Sequence, residues 1–247
     1  MDFGHYLVIV AALAGGAIVK GATGMGLPLV ALPALTAAFG LTHAIGLMVV
    51  PVVVTNLWQV VRLWHAGRAS DRLRFLPPFL VAVVGGVVAG TWLLKTLPER
   101  WLVFVLGLLL VVYIVIRLAK PSILIGADLA RRVGIPVGAA AGVLNGATGI
   151  SAPVGVTFIH WMGLERDAHI FAVSTMFLVM GAVQLPALFA AGLMQPVWLL
   201  EGTFALLPIV LFMPLGRAIA LRMSRAAFDR LVLVFLGIIG VKMLAGL

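Results

Sequence analysis

Apolar runs of roughly 17 to 25 residues, each bounded by a short polar cluster, recur along the chain, and that is the length a helix needs to cross ~30 Å of hydrocarbon. No stretch alternates with the two-residue period of a barrel strand, so the runs read as helices. Only 10% of the residues are charged against 63% hydrophobic, too few to solvate a globular surface. The chain is therefore predicted to be an all-α integral membrane protein surrounded by lipid bilayer. Its formal net charge of +9 does not point to nucleic acid, because the arginines gather beside the apolar runs as they do in cytoplasmic loops. The lack of cysteine removes disulfides, thiolate catalysis and cysteine metal ligation. Asp2 stands where a signal peptide carries a basic residue, so the first segment is read as retained.

A second feature organises the runs. "KGATGMGLPL" from Lys20 returns as "NGATGISAPV" from Asn145, 125 residues later. Gln59 and Gln184 share that offset, and "ERWLVFVLG" matches "DRLVLVFLG" at an offset of 130. The chain reads as a first membrane repeat over residues 1–120, a cytoplasmic linker over 121–132 and a second repeat over 133–247, together one membrane domain. In the first repeat a Gly-rich segment (4–39) precedes spans near 43–62, 75–95 and 101–117; in the second, a Gly-rich segment (133–163) precedes spans near 168–191, 198–216 and 231–247.

Loop charge gives the orientation, because Lys and Arg concentrate on the cytoplasmic side. The loop at 62–74 holds Arg62, Arg68, Arg72 and Arg74, whereas its counterpart at 192–197 has no basic residue. The next pair reverses: 95–100 carries Lys95 and Arg100, and 217–230 carries Arg217, Arg222, Arg225 and Arg230. Placing these clusters and the linker basics Arg117, Lys120, Arg131 and Arg132 inside requires an odd number of crossings per half. The expected architecture is thus two inverted-topology repeats with both termini outside. Each would have a broken or re-entrant Gly-rich helix pair plus three transmembrane helices. A re-entrant pair is favoured over two short spans, because 30 to 36 residues are marginal for crossing ~30 Å twice.

Inverted repeats with Gly- and Pro-interrupted segments at matching positions point to a secondary transporter. Pro28 and Pro153, four residues after the last glycine of each GATG, suit the first turn of a new helix. A helix start offers unpaired N–H groups and the positive end of the dipole to an anion. The candidate anion ligands are Lys20, Gly21, Ala22, Thr23, Gly24, Met25 and Gly26 in the first copy. In the second they are Asn145, Gly146, Ala147, Thr148, Gly149, Ile150 and Ser151. Lys20 would supply a full positive charge, Thr23, Thr148 and Ser151 hydroxyls, and Asn145 an amide. Two such tips meeting from opposite faces would make a dehydrated, donor-rich pocket for a small oxyanion. Small residues also serve close helix packing, the competing account of the motif. Asn56, Gln59 and Gln184 are candidates for lining the path, with interhelical hydrogen bonding the alternative. His43, His160, His169, Glu165, Asp167 and Glu201 fall near span ends, and no carboxylate reads as buried. No catalytic residue, metal or cofactor is called for.

At "GGAIVKGATGMGLPLVALPAL" and "GVLNGATGISAPVGVTFI" the chain resembles the TauE/SafE sulfite exporter family, and the likeness extends over its size, its two related halves and the proline after each motif. That resemblance implies export of a small sulfur-containing anion, such as sulfite, a sulfonate or sulfoacetate, across the bacterial inner membrane. Other readings make different demands. An anion channel would use the same site without saturable exchange. A membrane scaffold would bind no anion, and an intramembrane serine protease would need Ser151 hydrogen-bonded to His160 or His169. Gly26 occupies the position of Ser151 in the first copy, which argues against the protease.

Overall fold

A computed structural model describes residues 3–119, 123–222 and 225–245; Asp2 and Lys120 lie outside them. The described residues form helices and no strands: α1 (Phe3–Thr23), α2 (Leu27–Phe39), α3 (Leu41–Arg62), α4 (Trp64–Ala69), α5 (Leu76–Thr96), α6 (Glu99–Ala119), α7 (Ala127–Thr148), α8 (Thr157–His160), α9 (Arg166–Ala190), α10 (Pro196–Phe204), α11 (Leu206–Arg222) and α12 (Arg225–Leu244). A 3-10 turn over Asp71–Phe75 leads into α5, and a π-helical turn over Ala152–Val156 leads into α8. Among the described residues six segments are long and apolar enough to cross a membrane: Tyr6–Thr23, Leu41–Arg62, Asp71–Thr96, Glu99–Ala119, Arg166–Ala190 and Pro196–Ile219. The chain is a multi-pass membrane protein.

The expected 198–216 span is two helices, α10 and α11, joined at Ala205, and α7 begins at Ala127, inside the stretch read as linker. Both Gly-rich segments are broken at the GATG. The break is off-centre, since 21 residues of α1 precede it and 13 of α2 follow. At ~1.5 Å per residue α1 is long enough to cross the hydrocarbon and α2 is not. The position of the glycine, and not the midpoint of the apolar run, sets where the helix ends.

The helices group into two compact units, one comprising Met1–Pro51, Pro98–Leu118 and Met194–Leu247, the other Val52–Leu97 and Ala119–Leu193. Helix α3 contributes to both, and Pro51, which lacks an N–H for the helical ladder, stands at the division. In the first unit α1 lies along α11, close enough that Gly21 abuts the Met213 carbonyl oxygen and Gly216 the Ile18 carbonyl oxygen. In the second unit α7 lies along α5. Glycines at every fourth position of α7 (138, 142 and 146) meet the carbonyl oxygens of Phe79, Val83 and Val87, while Gly86 and Gly90 meet those of Ala139 and Val143. Such small-residue seams let helix backbones touch where hydrocarbon offers no hydrophobic drive for association.

The contacts inside the two units correspond. Gly21 and Ile18 match Gly146 and Val143 at the 125-residue offset, and Met213 and Gly216 match Val87 and Gly90 at 126. Each unit thus joins the GATG helix of one sequence half to a helix of the other. Exposed Trp58, Trp64 and Trp101 carry the guanidinium groups of Arg62, Arg68 and Arg100 over their rings at 5.2, 5.9 and 5.6 Å. Arginine–tryptophan pairs of this kind suit the water–lipid boundary.

Candidate functional site

Why each helix stops at its GATG is visible in the backbone. Gly24 has φ 83° and Gly149 φ 73°, the left-handed region that a glycine enters without steric cost. There the Gly24 N–H donates to the Lys20 carbonyl at 2.7 Å, and the Gly149 N–H to the Asn145 carbonyl at 2.7 Å. These are glycine-terminated helix ends. The threonine before each glycine ties the turn. Thr23 Oγ1 lies 2.9 Å from the Val19 carbonyl oxygen and 2.6 Å from that of Met25, and accepts the Met25 N–H at 3.3 Å. Thr148 Oγ1 repeats this with Leu144 at 2.7 Å, Ile150 at 3.4 Å and the Ile150 N–H at 3.4 Å. Every partner in the second copy lies 125 residues after its counterpart. The new helices then start at Leu27 and Ala152 with Pro28 and Pro153 in their first turns.

This bonding narrows the donor set. The N–H groups of residues 24, 25, 149 and 150 are used within the turns, and those of residues 21–23 and 146–148 belong to helix interiors. The amides free of an intrahelical acceptor are those where the new helices begin, at Gly26 and Leu27 and at Ser151 and Ala152. Gly21 and Gly146 face neighbouring helix backbones, so these two serve the packing role weighed for the motif.

The copies differ in access and charge. Residues 21–26, with Ala22 among them, are half-buried, whereas 145–151, with Ala147 among them, are buried throughout. Lys20 is 2% exposed in the last turn of α1, and Asn145 occupies the matching place in α7. Asn145 Nδ2 donates to Gln184 Oε1 at 2.9 Å, and Gln184 Nε2 lies 3.3 Å from the carbonyl oxygens of both Asn145 and Gly146. Gln184 therefore sits directly on the second GATG turn. Gln59 accepts a hydrogen bond from Ser174 Oγ at 3.1 Å, and Asn56 Nδ2 donates to the Val52 carbonyl at 2.7 Å.

Ser151 is fully buried, and its hydroxyl contacts the Met180 sulfur at 3.4 Å. His160 and His169 face each other instead, with ring centroids 5.8 Å apart. No serine–histidine pair exists for the protease reading among the described residues.

One expectation is corrected: no carboxylate read as buried, yet Glu201, within α10, is buried, and its Oε2 is 2.6 Å from His43 Nε2. The imidazole stacks on Trp198, with centroids 4.8 Å apart and planes 14° from parallel. The signal was a lone carboxylate inside the apolar run "PVWLLEGTFALL", three residues from a tryptophan and so on the same helix face. Ser174 was also passed over, and nothing in its apolar surroundings distinguishes it by sequence.

The family described as Sulfite exporter TauE/SafE matches residues 7–243 of the chain. No curated protein and no solved structure matches it.

Proposed function

The chain belongs to the TauE/SafE sulfite exporter family, a family of membrane transporters and not of enzymes; on that premise we propose that it exports sulfite or a small organosulfonate by alternating access. The observation that carries the assignment to these residues is the buried Lys20 beside a glycine-terminated helix end whose following helix start presents free amides. An ammonium held out of water and a helix N-terminus together favour a small oxyanion. Lys20 balances the ligand charge. The amides of Gly26 and Leu27, with the Thr23 hydroxyl closing the turn, bind the oxygens. Within its own unit the second copy presents the matching amides of Ser151 and Ala152, with Thr148 closing the turn and the Asn145–Gln184 pair in place of the lysine.

The repeats are inverted, with both termini outside the bacterial inner membrane and the clusters at 62–74 and 217–230 in the cytoplasm. Support for this comes from the alternation of basic loops. Thermal stability of the purified protein against sulfite, sulfoacetate, taurine, thiosulfate, sulfate, phosphate and chloride tests the site. A ligand at 100 times its dissociation constant stabilises by about 2.7 kcal/mol. The expected result is a raised melting midpoint with a sulfur anion that shrinks in Lys20→Ala. Equal shifts in both proteins would move the site away from Lys20.

A further inference from the structure

The His43–Glu201 pair has no part in anion binding as described, yet a carboxylate inside a membrane helix is costly and calls for a reason. Glu201 Oε2 meets His43 Nε2 at 2.6 Å, while Glu201 Oε1 is buried with no hydrogen-bond partner. A carboxylate kept for structure has its oxygens satisfied. One left half-satisfied beside an imidazole keeps an open acceptor to which a proton can be added. Trp198 and Phe39 flank the imidazole, at centroid distances of 4.8 and 5.4 Å, and shield the pair on two sides. The His43 side chain keeps 16% of its surface exposed against 5% for Glu201, so the histidine is the more accessible of the two.

The carboxylate has no counterpart in the other unit. At the offset of 125 to 126 residues, Glu201 corresponds to Phe75 or Leu76, both buried in the second unit's apolar core, where Phe75 packs on Phe79 and Phe158. The same place in the other unit is thus filled by hydrocarbon. Among the side chains described, the other charged groups on helices of this unit are Lys20 on α1, Glu99, Arg100 and Arg117 on α6, Arg217 and Arg222 on α11, and Arg230 and Lys242 on α12. Glu99 accepts the Leu41 N–H two residues before His43. Among the described residues no lysine or arginine pairs with Glu201.

We propose that His43 and Glu201 form a proton-binding site that couples transport to the proton gradient. The unloaded pair is a carboxylate accepting from a neutral imidazole; the loaded pair holds one further proton, and it takes up and releases that proton once per transport cycle. This rests on the transporter reading, under whose topology both residues lie at the outer ends of their spans, where external protons arrive.

Two experiments separate its fate from that reading. [15N]histidine NMR needs no substrate: the His43 signals, assigned by their loss in His43→Gln, should change with pH as the pair takes up and releases its proton. That response should be altered in Glu201→Gln, which lacks the carboxylate. In proteoliposomes, [35S]sulfite counterflow without a pH gradient tests transport itself. An imposed gradient should then change sulfite accumulation, beyond protein-free liposomes, by up to about tenfold per pH unit for one coupled proton. Glu201→Gln should retain counterflow and lose the gradient response. Counterflow that ignores the gradient, or a variant that keeps the response, overturns the coupling and leaves transport standing. If sulfite shows no counterflow, the NMR titration decides alone, and a His43 signal invariant with pH overturns the proton site.

Discussion

Two adjacent glycines in α5 provide a sharp test of the packing that holds the second GATG helix. Gly85 is exposed and a Cβ there meets nothing within 4 Å, whereas a Cβ on Gly86 would strike the Ala139 carbonyl oxygen and lie 2.9 Å from Gly142 Cα and Val143 N. Both sit inside a helix, so alanine at either gains about 0.5–1 kcal/mol of helix propensity. At Gly86 the obstacle is backbone, which cannot rotate away. Relief requires α5 and α7 to separate along a seam of five glycines, and overpacking of this kind costs about 1–3 kcal/mol. The net is a destabilisation of up to about 2.5 kcal/mol for Gly86→Ala and a gain of about 0.5–1 kcal/mol for Gly85→Ala. At ~2–4 °C per kcal/mol for a chain of this size, Gly86→Ala should melt up to ~10 °C lower and Gly85→Ala ~1–4 °C higher. The assay is loss of the monodisperse peak on size exclusion after graded heating in detergent. Equal melting of the two variants, or a higher midpoint for Gly86→Ala, would refute the seam.

Asn145→Leu leaves Gln184 Oε1 buried without its donor and should lower stability by about 1–3 kcal/mol, while Asn145→Leu with Gln184→Leu should recover most of the loss, measured as a double-mutant cycle on the melting midpoint. Replacing Thr148 by Val removes the hydroxyl that ties the second break and should cost about 0.5–1.5 kcal/mol with an equal effect for Thr23→Val, since the two turns are bonded alike. The chain has no cysteine, so Ala69→Cys and Gln195→Cys carry single reporters. In intact cells an impermeant maleimide should label position 195 and not 69; labelling of both, or the reverse, would contradict the proposed orientation.

What the sequence made legible follows from which physical signals are local. Helices of membrane-spanning length follow from apolar runs, and the breaks follow from glycines with a proline four residues on. Both were readable residue by residue. The partners of those helices were not, because a seam of glycines fits any backbone that approaches closely; that Gly21 meets Met213 and Gly146 meets Val87 depends on tertiary contacts. The donor set was read too widely for a related reason. Only the hydrogen bonds of Thr23 and Thr148 reveal that the amides of Met25 and Ile150 are already occupied. Glu201 was not read as buried because hydropathy places it only three residues inside a span whose boundary blurs by several, and burial there depends on which helix packs against it.

Transport of a small sulfur anion bound beside Lys20 is the proposal on which the others depend. It is tested by [35S]sulfite counterflow into proteoliposomes preloaded with unlabelled sulfite, compared between wild type and Lys20→Ala of equal melting behaviour. Saturable counterflow is expected in wild type, competed by organosulfonates and abolished in the variant. Flux that does not saturate, no flux at all, or undiminished counterflow in Lys20→Ala would contradict it.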